Sequence, residues 1–140
     1  MRLIKSTYSP PGTATVILEC KGKQYTGKAF FSRDEKCPPS AFFGQRIAEK
    51  RALIEYWKEK RDINRIKQQA LESFKKDLDA YVYDGVLEEG LYETILEKLD
   101  QHIEYYGKEV KDAKKVIQTE KESIKENIKT RQHLFENKGQ

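Results

Sequence analysis

Hydrophobic and polar positions change rhythm twice along this chain. Up to Phe31 the strand formers Thr13, Thr15, Val16 and Ile17, then Tyr25, Thr26, Phe30 and Phe31, flank the sequence Lys21-Gly22-Lys23. β-Branched and aromatic residues on either side of a glycine turn predict a β-hairpin. The preceding segment RLIKSTY supplies a candidate third strand, connected through SPPG. Two strands are marginal in water, so the sheet needs a helix or a second copy of itself against one face.

After the loop SRDEKCPPS the rhythm becomes helical. Pro38 and Pro39 favour extended chain, and Ser40 is a good N-cap, its hydroxyl placed to accept an early backbone N–H. No proline lies between Ala41 and Tyr81, and no glycine between Gly44 and Tyr81, which predicts a first long helix over 41–82. At about 100° per residue, Phe43, Ile47, Ile54 and Trp57 share one side. Ile63, Ile66, Ala70, Phe74 and Leu78 drift to the opposite side. The helix is therefore expected to serve two neighbours, the sheet at its start and another helix at its end.

Asp84-Gly85 is a turn signal, and a second helix is predicted over 86–137, starting at Val86 or Leu91. Ile103, Tyr106, Val110, Ala113, Ile117, Glu120 and Ile124 alternate three- and four-residue spacings, the seam of a coiled coil. Ile128 arrives one position late, which predicts a small stutter. Gly90 and Gly107 each weaken the helix by about 1 kcal/mol. The seam has more apolar surface than the first helix alone covers, so a homo-oligomer, a dimer or higher, is expected through the helices. The fold expected is α+β, one domain over 1–140: a small N-terminal antiparallel sheet within 1–40, then two long antiparallel helices.

Composition narrows the functional classes. Hydrophobic residues make up 37% and charged residues 36%, the balance of long solvated helices. The chain has no apolar run of about 18 residues, so no membrane span is expected. Its basic start lacks the apolar stretch of a signal peptide. Cys20 and Cys37 read as free thiols of a cytoplasmic protein, in the host cytoplasm if the chain is phage-encoded. The net charge of +4 is unevenly spread, with a basic excess before residue 80 and an acidic excess after it. That asymmetry fits an anion-facing front half, or two halves that attract each other.

Catalysis finds little support. His102 and His133 stand far apart with no metal-ligand spacing, and the chain has no Ser/His/Asp set or phosphate-cradling glycine loop. No metal, cofactor or catalytic residue is expected. Glu88 and Glu89 suit a helix start, where carboxylates meet the positive end of the dipole.

The junction of hairpin and first helix is the best candidate site. Ser40 to Gly44 form a helix N-terminus whose unpaired N–H groups favour an anion. Gly44 either admits a ligand or lets the helix pack closely on the hairpin. Arg46, Lys50, Arg51, Lys58, Arg61 and Arg65 fall in one sector of about 140°, clear of Glu49, Glu55, Glu59 and Asp62. Cations beside aromatic rings bind phosphates and bases. Phe30 and Phe43 are expected in the core, leaving Tyr25, Phe42 and Trp57 as stacking candidates. Arg51 ranks first, as a bidentate phosphate clamp. Its alternative role is an ion pair with an acid of the second helix, such as Glu93 or Glu97.

Gly27-x-Ala29, the loop RDEKCPPS and Gly44-x-x-Ile47-Ala48-x-x-Arg51-Ala52, spanning about residues 23–53, resemble small proteins encoded by phages and prophages of Gram-positive bacteria. The layout of a small sheet and two long helices also looks like the phage anti-Thoeris sponge proteins. That resemblance implies an oligomer that sequesters cyclic ADP-ribose-type signals. The reading expected is a non-enzymatic anti-defence protein that captures a nucleotide-derived signalling molecule at the junction. One alternative is a nucleic-acid or effector-binding inhibitor of anti-CRISPR type, acting on nucleic acid or a host defence protein through the basic face. Another is a structural helical adaptor without ligand.

Overall fold

A computed structural model describes residues 1–9, 12–30, 40–83, 85 and 88–138, with side chains outside 82, 83 and 135–138. The fold is α+β. Three strands, β1 (Arg2–Ser9), β2 (Thr13–Cys20) and β3 (Lys23–Phe30), precede two helices, α1 (Ala41–Tyr83) and α2 (Glu89–Lys138). RLIKSTY is indeed a strand, and the sheet order is β1-β2-β3, antiparallel throughout. Lys21 (φ 52°) and Gly22 (φ 81°) make the β2–β3 turn, both in the left-handed region that matches hairpin twist. Residues 31–39, which hold Phe31, Cys37, the two prolines and most of the predicted loop, lie outside the described residues. Cys20 is a free thiol.

The residues cluster into two compact units, Met1–Lys58 with Lys115–Gln140, and Glu59–Lys114. In the first, alternation along β2 buries Ala14, Val16 and Leu18 on one sheet face, and β3 adds Ala29 to it. Ile47, Ala48, Ala52 and Ile54 of α1 and Ile117 and Ile124 of α2 complete this core. One glycine sets the distance between sheet and helix. A Cβ at Gly27 would lie 1.9 Å from the Ala48 carbonyl oxygen and 2.4 Å from the Ala52 nitrogen. Strand and helix backbones touch there, and only hydrogen fits between them. Two expectations change in this unit. Phe30 is not core: it ends β3 on the outward alternation and is 67% exposed. Ile128 marks no stutter, because the 3–4 spacing continues from Ile124 through buried Asn127, whose Nδ2 donates to the Ser123 carbonyl at 2.8 Å.

In the second unit α1 and α2 pair antiparallel. Gln68 Nε2 donates to the Ile103 carbonyl at 3.4 Å, Lys75 Nζ meets Asp100 Oδ1 at 2.8 Å, and the Tyr92 hydroxyl donates to Asp79. Of the predicted seam residues in this unit Val110 and Ala113 are buried and Ile103 and Tyr106 half-buried, and buried Leu99 extends the same spacing by one step. On α1 they are Asn64 and Leu78, with Gln68 and Leu71 half-buried, not the expected Ile63, Ile66, Ala70 and Phe74. These four are exposed. The buried face carries the 3–4 spacing of Trp57, Arg61, Asn64, Gln68, Leu71, Lys75 and Leu78, so a partly polar seam lines up with α2 and a more apolar stripe faces outward. Among the described residues no helix is long and apolar enough to cross a membrane.

Candidate functional site

The end of the hairpin and the start of α1 enclose a cavity of about 60 Å³. Ser40 caps α1 as its sequence predicts: its Oγ accepts the Phe43 N–H at 3.4 Å and its carbonyl accepts the Gly44 N–H at 2.9 Å. Ser40, Gly44 and Arg51 all line the cavity, joined by Tyr8, Phe30 and Arg131. Gly44 also packs closely, since a Cβ there would stand 3.3 Å from the Ala14 Cβ. The close packing foreseen for this glycine is therefore present, at a position that also lines the cavity.

Arg51 Nη1 donates to the Lys28 carbonyl at 2.8 Å, which commits one of the five guanidinium N–H groups. An acid of α2 does pair with this stretch of α1, but it is Glu120 and not Glu93 or Glu97, and its partner is Lys50: Lys50 Nζ meets Glu120 Oε2 at 3.4 Å, both side chains 21% exposed. Arg131 is the second guanidinium of the cavity. Burial lowers its pKa from the ordinary value, so an anion beside it favours the charged form. Sequence reasoning missed Arg131. Its signal was a cation on the continued α2 seam, four residues after Asn127.

The other sequence candidates lie off the cavity. Arg46 sits over the Phe42 ring, 5.4 Å from its centroid, and both residues are exposed. Tyr25 packs edge-on against Tyr56 at 5.3 Å, and Tyr56 against Trp57 at 5.2 Å. Trp57 also leans on the core. Tyr56 touches Cys20, and its pKa is raised by burial and then by the Cys20 hydrogen bond. These rings form a structural cluster, whereas the exposed Phe30 ring stands at the cavity.

A second opening lies in the same unit, bounded by β3, α1 and α2. It is a groove of about 650 Å³ whose lining includes Lys28, Arg51, Lys58, Lys121 and Lys125. Arg51 lines both openings. Of the basic sector on α1, Lys58 pairs with Glu55 at 3.7 Å and Arg61 with Asp62 at 3.0 Å. Among the described residues no cluster of three or more His, Cys, Asp or Glu side chains is arranged to hold a metal ion. Comparison with protein-family models, curated proteins and solved structures gave no match to this chain.

Proposed function

We propose that this protein binds a nucleotide-like anion without transforming it, holding a phosphate at the sheet–helix junction. The observation that carries this reading is the convergence of two arginines, Arg51 and Arg131, with the capped start of α1 on one cavity. Guanidinium forks are complementary to a phosphate in charge and geometry, and the positive end of the α1 dipole adds to their field. At about 60 Å³ the cavity suits a phosphate-sized group and not a whole nucleotide, since sites for larger ligands run to roughly 300–1,000 Å³. The remainder of the ligand would lie outside, where the Phe30 ring offers a stacking face. In the phage setting that the resemblance implies, capture of a signalling nucleotide in the host cytoplasm would blunt a defence response.

Self-association belongs to the same reading, through a different surface from the α2 seam. The outer stripe of α1 (Ile63, Ile66, Ala70, Phe74 and Tyr81) is exposed and extends about 27 Å. Residues 59–67 hold four cations and two carboxylates, and residues 72–79 hold two cations and three carboxylates. A second copy laid antiparallel about a two-fold axis near Ala70 sets Ile66 against Phe74 and the basic end against the acidic one.

The binding test is calorimetric titration with inorganic phosphate and with adenosine mono- and cyclic nucleotides. Arg51→Glu and Arg131→Leu are each expected to remove phosphate binding while circular dichroism retains the helix signal. Wild-type protein that binds none of these anions, or variants that bind as well as wild type, would overturn the reading.

A further inference from the structure

The groove beside the junction has a composition of its own. Its floor is apolar, with buried Ile54 from α1, buried Ile124 from α2 and Gly27 from β3. Its rim is cationic: Lys28 on β3, Arg51 and Lys58 on α1, Lys121 and Lys125 on α2. Among the described residues Glu55 is the sole carboxylate of the lining, and it already faces Lys58 at 3.7 Å. Nearby acids of α2 are engaged elsewhere. Glu122 accepts from the Gln118 amide at 3.2 Å, Glu126 meets Lys129 at 3.9 Å, and Glu120 meets Lys50 at 3.4 Å.

Five cations from three elements around one concavity repel one another unless an anion or salt screens them. Periodicity explains why they meet. Arg51 and Lys58, seven residues apart, share a face of α1, and Lys121 and Lys125, four apart, share a face of α2. Among the described residues no aromatic side chain lines the groove, which there offers charge without a stacking platform. Along α1 the cations extend about 10 Å, short for tracking a nucleic-acid strand but ample for a compact ligand.

We infer that this groove binds a compact polyanion with several closely spaced phosphates, held by Lys28, Arg51, Lys58, Lys121 and Lys125. The inference builds on the proposed junction site only through Arg51, which lines both openings. A phosphate chain in the groove would therefore compete with a lone phosphate in the cavity for the same guanidinium.

Tripolyphosphate is the probe, titrated calorimetrically at about 50 mM and about 200 mM salt. The double variant Lys121→Glu/Lys125→Glu is compared with Lys5→Glu/Lys98→Glu, which changes net charge equally at exposed positions outside the groove. The expected result is a Kd raised roughly tenfold or more by the groove variant and less than about threefold by the control. Binding is expected to weaken at the higher salt, and inorganic phosphate is expected to still bind the groove variant. No tripolyphosphate binding by wild-type protein, or equal weakening by both double variants, overturns the inference. So does tighter binding of a twelve-nucleotide oligothymidine than of tripolyphosphate, which would assign the groove to nucleic acid. Loss of inorganic-phosphate binding in Arg131→Leu with tripolyphosphate binding intact separates the two sites. A wild type that takes tripolyphosphate and not inorganic phosphate removes the junction reading and leaves the groove standing.

Discussion

Individual side chains in the first unit have separable roles, and each can be removed alone. Gly27 sets the sheet–helix distance, because even a methyl group would overlap the Ala48 carbonyl. Gly27→Ala is expected to destabilise the protein by about 3 kcal/mol or more, since backbone must move on one side. Gly22→Ala makes the contrast: nothing lies within 4 Å, and its cost comes from a φ of 81° alone. Equal melting temperatures for Gly27→Ala and wild type would contradict the contact. Arg51 is bound to a carbonyl of β3 and not to an acid of α2, so its charge is not neutralised by that bond. Arg51→Lys should keep the fold and weaken phosphate capture, a charge-assisted bond being worth roughly 1.5–3 kcal/mol. Unchanged affinity in calorimetry would take the bidentate clamp away from Arg51. Lys50 has the structural role: Lys50→Met should cost about 1 kcal/mol in denaturant unfolding and leave phosphate affinity alone.

At the scale of elements, the two helices divide hydrophobicity unequally. The α2 seam buries Leu99, Val110, Ala113, Ile117 and Ile124, whereas the corresponding face of α1 spends a buried position on Asn64. A polar residue at a seam position costs stability and fixes register. Asn64→Leu should therefore raise the unfolding midpoint by an amount equivalent to about 1 kcal/mol. A drop in that midpoint would mean that the Asn64 amide makes bonds worth more than leucine packing. On α2, Ile117→Lys places a charge at a site only 5% exposed and should cost several kcal/mol unless the site relaxes. Retained stability in urea would show that position 117 is open to water.

For the whole molecule, the question is what covers the outer stripe of α1. If a second copy does, sedimentation of wild-type protein at micromolar concentration gives a dimer. Ile66→Glu/Phe74→Glu should then give a monomer of unchanged helix content, because both residues are exposed in the single chain. A monomeric wild type would sink this assembly while leaving both anion sites intact. Ion pairs such as Lys75–Asp100 are exposed and screened, so salt is expected to loosen anion binding far more than the fold.

Local chemistry in the sequence was sufficient for the elements. Strand formers around Lys21-Gly22 specified a hairpin, Ser40 specified where α1 begins, and the 3–4 spacing on α2 specified its buried face. These signals act between near neighbours in the chain, so no partner is needed to read them. That Ser40, Gly44 and Arg51 share one junction was legible for the same reason, all lying within about three turns of one helix start. What the sequence left open was which helix face meets which neighbour. On α1 the apolar stripe through Ile66 and Phe74 outscored the polar seam through Asn64 and Gln68, yet the seam is the buried one. The choice depends on how α2 lies against α1 in that unit, and residue spacing on α1 alone carries no such information. Arg131, Lys121 and Lys125 were hidden likewise. They lie about seventy to eighty residues from Arg51, and only folding brings this part of α2 beside the hairpin and the start of α1.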